Sequence, residues 1–437
     1  LRPKGQFGTR AMGGKDYADP RYTYTCLNQR LCYAMFPKDD DFLLKYTFHE
    51  GHRCEPDYYV PVIPYSIMEH MELPATGWKI KIWARNWKEV IKNVRDMING
   101  KLTKPRKMKT WTKDNAGDIR KYNGKEYSFG KYTYDNNKNT IHINELPLKV
   151  FSSAFIGDFN SGKTKDLCNK SQFKREKPRD ETNDDSVDIT FYLTDTGYSE
   201  IVKKYNENIK KKCKGSESKK NEYEGFIDCV EDFMNLKIVL DHHINMIDTD
   251  GKIIEYKKYE DVLKDWFVIR KQLYEDRIDR HVLLYSLMIK YLENIIRFTK
   301  NHLKYNIRSN ITRDKADKIL EKNKYDTFNH TLLLNPKFSD MDKLKLCIIN
   351  NIDMGTSYDY IINLRYSDLL EGACKRREKE LEEYNYKLKN LLDDDGTDGI
   401  MKGGKTWLRE IDQVESVIKD GISKGWDYGE DYARFKN

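Results

Sequence analysis

Near the start of the chain, Gly5-Gln6-Phe7-Gly8-Thr9-Arg10 leads through Gly13-Gly14-Lys15-Asp16 to Pro20-Arg21-Tyr22. Glycines at this density let a backbone approach a phosphate chain closely, and Arg10 and Lys15 make the loop basic. The Arg21-Tyr22 pair is the sharper feature. A phenol beside a guanidinium can serve as a phosphoryl-transfer nucleophile, because the cation stabilises both the phenolate and the charge on a pentacoordinate phosphorus. On spacing alone Tyr22 is one of 30 tyrosines, most of which must be packing residues.

Three other groupings could carry chemistry. Gly157-Asp158-Phe159-Asn160-Ser161-Gly162-Lys163-Thr164 satisfies the phosphate-loop pattern GxxxxGK[ST]. Such a loop needs a strand before it and a helix after it. Val150 to Ile156 is acceptable as that strand, but the polar run after Thr164 is soon cut by Pro178, so coincidence is the expected reading. His49-Glu50-Gly51-His52-Arg53-Cys54 could gather three soft ligands, yet a structural zinc wants four and no second cluster completes the set. Asp393-Asp394-Asp395 follows a helix end in a glycine-rich stretch and reads as a solvated turn rather than a metal site.

The elements that must position these residues change character along the chain. Residues 1–250 read as a mixed α/β body. Cys26 to Phe36 is helix-like, Tyr58 to Pro64 and Trp78 to Trp83 read as strands, and Asn86 to Ile98 is an amphipathic helix stopped by Gly100. Short strands at Tyr127–Phe129 and Thr140–Ile143 are separated by Asn-Gly and Asp-Asn-Asn turns. Lys174 to Asp185 reads as an exposed loop, and Val187 to Thr194 as a strand. Beyond Gly251, apolar residues recur every three or four positions from Tyr259 to His302 without Gly or Pro, a helix of about 60 Å at 1.5 Å per residue. A second such segment, Tyr358 to Leu392, suggests an antiparallel coiled-coil arm with a smaller helical region, 303–357, at its tip.

Composition sets the outer bounds. The chain has 437 residues with 38% apolar residues, enough for packed cores, and no apolar run of the ~18 residues a membrane span needs. The eight cysteines include no CxxC, which suits reduced thiols and a protein that is not secreted. Leu1 is not a Met and no apolar leader follows it, so the chain is expected to begin inside a longer protein. The net charge of +8 is uneven: residues 1–150 carry 27 Lys and Arg against 17 Asp and Glu, and the remainder is nearly neutral. A basic segment with Trp78, Trp83, Trp87 and Trp111 among its charges has the footprint of a polyanion partner, or equally of a solvated lysine-rich surface.

The run GQFGTRAMGGKDYADPRY resembles the stretch around the active-site arginine and tyrosine of type IIA DNA topoisomerases, in their eukaryotic and large-DNA-virus branch. The likeness continues through Phe36-Pro37-Lys38-Asp39-Asp40, Glu55 to Pro64, Thr76-Gly77-Trp78 and Ile143-Asn144-Glu145-Leu146-Pro147, then at Tyr256–Phe267 and Trp407–Asp412. It is weakest at 151–250 and 300–357.

That resemblance implies an α+β multi-domain fold. Residues 1–50 would be the end of a winged-helix domain, 51–250 a tower domain, and 251–437 a coiled-coil arm with a helical dimerisation gate. Tyr22 would form the 5′-phosphotyrosyl bond and Arg21 would stabilise the scissile phosphate. Gln6, Thr9, Arg10 and Lys15 would position the duplex backbone. The family unstacks base pairs with an isoleucine where this chain has Pro74, itself a known wedge; Lys79 and Lys81 follow it at the DNA. The resemblance further implies double-stranded DNA as partner, a homodimer, Mg²⁺ and ATP bound outside this segment, and a nuclear or cytoplasmic viral replication site. The end soon after Trp407, with no long charged tail, is similar to the short viral forms. A non-catalytic DNA scaffold and a P-loop NTPase are the alternatives.

Overall fold

The computed structural model describes residues 2–112, 115–161, 172–173, 178–183, 186–213, 216–307, 311–328 and 357–424. It forms two compact units of interleaved segments. One comprises Leu1–Asn28, Tyr65–Glu89 and Lys107–Tyr259; the other comprises Gln29–Pro64, Val90–Arg106 and Glu260–Asn437.

The first unit is mixed α/β. Its larger sheet is antiparallel, in the order Arg179–Asp180, Ile189–Tyr192, Thr140–Glu145, Lys131–Asp135. Ile141 and Ile143 point inward and, with Ile189, Phe191, Phe155, Phe159, Phe173 and Phe233, form its core. The aromatic rings meet mostly edge to face, as at Phe159–Phe191, 4.7 Å apart. A second sheet pairs Lys237–Leu240, Lys125–Phe129 and Ile119–Tyr122. Its hairpin turns at Asn123-Gly124, both with positive φ, as the Asn-Gly signal predicts. Three helices that periodicity did not single out, Gly197–Cys213, Glu217–Phe226 and Cys229–Phe233, complete this unit, the last opened by an Asp228/Glu231 capping box.

Two expectations fail in this unit. Val150 to Ile156 is no strand: the helix Ser152–Ser161 occupies it, with Phe155 and Phe159 turned into the core. The phosphate-loop match thus lacks the preceding strand its chemistry requires; Lys163 and Thr164 lie outside the described residues. Nor do the tryptophans form an exposed face. Trp83 and Trp87 are buried, and Trp78 alone of the four is exposed. Part of the 174–185 segment lies outside the described residues, but Arg179–Asp180 is a short strand rather than loop.

The second unit is mainly helical. The helix Tyr259–Tyr305, whose body lies here, runs unbroken for 47 residues, longer than the periodicity predicts. Gly404–Ser423 seats Trp407, fully buried, against Phe267 and Tyr274. The expected second long helix is shorter: Asp359–Ile362, a 3-10 turn at Tyr366–Leu369, then Glu371–Leu392. Asp368 supplies the break, its carboxylate accepting the Arg365 N–H at 3.0 Å. The tip between, 329–356, lies outside the described residues. Tyr58 to Pro64 is not a strand either. Pro61 and Pro64 lack N–H donors, and the carbonyls of Val60 and Val62 accept from Arg270 (2.9 Å) and the Trp407 indole (2.9 Å). Asp394 is buried, with its two carboxylate oxygens capping Lys405 N–H and Thr406 N–H at 2.9 Å each. The triple-aspartate run is therefore a helix cap, not a solvated turn.

Candidate functional site

Tyr22 closes a single 3-10 turn, Pro20–Tyr22, in which the proline pre-sets the first φ and Asp19 caps the turn by accepting from Arg21 N–H. Its side chain is 51% exposed. Arg21 is exposed too, with its guanidinium 5.2 Å from the Tyr22 ring centroid and 3.8 Å from Asp19. A phenol and a cation thus stand side by side on an open surface.

The glycine loop backs this turn. Gln6 N–H donates to Tyr22 C=O at 2.9 Å, and Gly5 N–H to Tyr24 C=O at 3.1 Å. A Cβ on Gly5 would stand 2.1 Å from the Tyr22 carbonyl, so glycine is required there by close approach. The loop folds back on itself through Asp16, whose carboxylate accepts the Thr9 N–H (2.9 Å) and the Thr9 hydroxyl (2.8 Å). Those two donors, the amide first, hold the Asp16 carboxyl below its ordinary pKa. Gln6 and Lys15 are exposed; Thr9 and Arg10 are engaged within the protein.

Arg10 reaches Glu145 at 2.5 Å. Glu145 follows Ile141 and Ile143 in the inward register of its strand and is 3% exposed. A charge at an apolar position must be paired. Here the Ala116 N–H (3.1 Å) and Leu146 N–H (3.0 Å) join Arg10. Beside the pair lies a cavity of about 300 Å³ lined by Pro147, Phe151 and Ser152, among others. Glu145 carries no role in the sequence reading. The signal that could have found it is a carboxylate breaking the alternation of an otherwise apolar inward face.

Pro74 lies in the hairpin Met71–Ala75/Trp78–Ile82, opposite Lys79 and next to a two-residue turn. Leu73, Pro74 and Trp78 are exposed there, an apolar tip on a projecting ribbon. The lysines behind it are less free than their sequence positions suggest. Lys81 has a side chain only 12% exposed and hydrogen-bonds Asp241, while Lys79 lies 3.6 Å from Glu72 and 3.9 Å from Asp241. Lys149 also pairs with Glu72. Among the described residues no group of three His, Cys, Asp or Glu side chains could hold a metal ion. His49 and His52 face each other across an exposed hairpin turn.

The mixed α/β fold and the tyrosine-bearing loop define the core of a type IIA topoisomerase. Residues 1–245 match the DNA gyrase/topoisomerase IV family, and the chain belongs to it. It is 29% identical over 440 residues to DNA topoisomerase 2 of African swine fever virus (strain Badajoz 1971 Vero-adapted), covering 97% of this chain and 34% of that protein. It is 31% identical over 321 residues to DNA topoisomerase 2 of Arabidopsis thaliana, covering 72% of this chain and 20% of that protein. Against human DNA topoisomerase 2-beta the identity is 24%, over 97% of this chain and 25% of that protein. The fold is similar to that of the Plasmodium falciparum topoisomerase II DNA-binding, cleavage and re-ligation domain. The TM-score is 0.66 at 23% identity, over 97% of this chain and 53% of that one. The chain spans about a third of the length of the viral relative.

Proposed function

We propose that this chain is the nucleophile-bearing part of a DNA breakage–reunion gate. The observation that carries the reading is the exposed Tyr22 hydroxyl beside Arg21, on a turn whose backbone is gripped by the glycine loop. The Tyr22 oxygen attacks a backbone phosphorus, the P–O3′ bond breaks, and the phenolic proton ends on the 3′-hydroxyl. The 5′-phosphotyrosyl bond keeps the energy of the broken one, so resealing by the 3′-hydroxyl needs no further energy source. Arg21 offsets the extra charge on the phosphorane. Gln6 and Lys15 meet the duplex backbone, while Thr9 and Arg10 shape the loop that presents them. Pro74, with Leu73, is placed to unstack a base step, and Lys79 and Lys81 support the strand behind it.

On this reading residues 1–50 end a winged-helix domain, 51–250 form a tower domain, and 251–437 form a coiled-coil arm and dimer gate. Two tyrosines cut two strands, so the working unit is a homodimer on double-stranded DNA. Passage of a second duplex relaxes or unlinks DNA. Mg²⁺ and ATP are supplied by parts of the protein outside this segment, and the site of action is a nucleus or a viral replication site. No described helix is long and apolar enough to cross a membrane.

Tyr22→Phe in the complete protein tests this. It should abolish the covalent protein–DNA complex trapped by denaturant while leaving DNA binding within about twofold. Undiminished capture would show that another group is the nucleophile. Loss of capture in wild type as well would favour a non-catalytic DNA scaffold.

A further inference from the structure

We infer that Glu145 is a positioning residue for Tyr22, acting through Arg10 and the glycine loop; the inference rests on Tyr22 being the nucleophile. The loop is tied at three points to one stretch far away in sequence. Arg10 meets the buried Glu145 carboxylate. The Ala11 carbonyl accepts both the Ser153 N–H (3.3 Å) and the Ser153 hydroxyl (2.9 Å). Gly13, at φ +64°, lies so close to Phe151 that a Cβ would stand 2.3 Å from the ring. On its other side the loop holds the nucleophile's backbone: Gln6 donates to Tyr22 C=O and accepts from Ala18 N–H at 3.1 Å. A continuous line of contacts therefore runs from residues 145–153 through Arg10 and the loop to the Tyr22 turn.

Of the three ties, Glu145 is the one with a charge to lose. Its Oε1 accepts from Arg10 and Leu146 N–H, and its Oε2 from Ala116 N–H. A glutamine there fails in either orientation, since its NH₂ must face one of these donors. Glu145→Gln thus keeps shape and volume but releases Arg10. Displacing a reacting group by about 1 Å costs roughly a hundredfold in rate, without need for any contact between the responsible residue and the substrate.

The test uses the complete dimeric protein, with DNA affinity and the single-turnover rate of covalent capture measured in parallel. Glu145→Gln should slow capture roughly 10- to 100-fold with affinity changed less than about twofold. Arg10→Gln, whose side chain is partly exposed and whose folding is safer, should match it, and the double variant should be no slower than either single one. Amide exchange across residues 6–18 should quicken in both. Capture at the wild-type rate, affinity falling in step with capture, additive single effects, or unchanged exchange would each overturn the inference. Tyr22→Phe run alongside separates the two failures. If it still captures DNA, the nucleophile assignment falls, while the exchange measurement still decides whether Glu145 holds the loop.

Discussion

Arginine meets carboxylate in two very different settings in this protein. In the loop that presents Tyr22, one partly exposed arginine reaches one buried glutamate, and the tyrosine itself stays open to solvent. In the helical unit, Arg270 is completely buried and donates to Asp40 (2.6 Å) and the Val60 carbonyl. Arg277 there lies 2.7 Å from Glu410 and 3.1 Å from Asp39, and Tyr274 donates to Glu410. Burial holds the Tyr274 phenol far above its ordinary pKa, so it remains a donor at any working pH. The second arrangement knits four chain segments together; the first fixes the pose of one loop. A few ties suffice where the product is a geometry, and a saturated network is needed where the product is a core. Damage to the network should therefore appear as lost stability, and damage to the loop as lost chemistry.

The largest expected effect is on the network. Asp40→Ala leaves Arg270 and Arg277 buried without their shared acceptor and should cost about 3–5 kcal/mol in denaturant unfolding. A loss below about 1 kcal/mol would mean that the network does not hold its unit together, and the contrast would collapse. Next comes Asp394→Ala, which strips the cap from Gly404–Ser423 and should cost about 1–2 kcal/mol. Its DNA capture, per folded molecule, should stay near wild type. Gly13→Ala reverses the pattern. The left-handed backbone costs about 1–2 kcal/mol locally, and the new methyl meets Phe151. Capture should fall by more than the change in melting temperature accounts for, and Phe151→Ala added to it should restore part of the rate. Equal losses of stability and capture in this variant would erase the distinction between the two regions.

How much of this was legible in the sequence depends on what kind of signal each residue leaves. Periodicity found Trp87–Ile98, Thr140–Glu145 and the long helix, because a single buried face imposes a single period. It failed at Tyr58–Pro64, where alternating apolar residues are buried by partners from other segments and not by a ladder. It also failed at Val150–Ile156, a short apolar run that suits strand and helix equally. The tyrosine turn was found by motif, since Gly5 and Gly13 are demanded by close approaches that leave a visible residue type. The partners of those residues left no such mark. Glu145, Phe151 and Ser153 touch the loop only after more than 130 intervening residues have folded, and nothing local distinguishes them from other glutamates, phenylalanines and serines. Lys79 and Lys81 show the converse. Their charges were plain in the sequence, but the carboxylates that occupy them, Glu72 and Asp241, were not.

The smallest effect lies at the base of the Pro74 hairpin. His70 stacks at 4.6 Å from the Trp83 ring and hydrogen-bonds the Ile82 carbonyl at 2.9 Å. Burial first, and then the neighbouring charges of Lys149 and Lys81, push its pKa below the ordinary 6.5, against the pull of the Ile82 carbonyl. The folded state therefore binds this proton less readily than the unfolded chain does. The stability His70 confers is complete above pH 6.5 and declines as the pH falls through the lowered value. The melting temperature should drop between pH 7.5 and 5.5 more in wild type than in His70→Gln, whose amide can still donate to Ile82 while carrying no titratable proton. Because the hairpin carries the exposed Leu73–Pro74 tip, acid should also weaken DNA bending, measured by end-to-end energy transfer across a duplex, before it affects capture by Tyr22. Identical pH profiles in the two proteins would remove His70 from the set of ties and leave the tip's geometry to the Lys–Glu72 and Lys–Asp241 pairs alone.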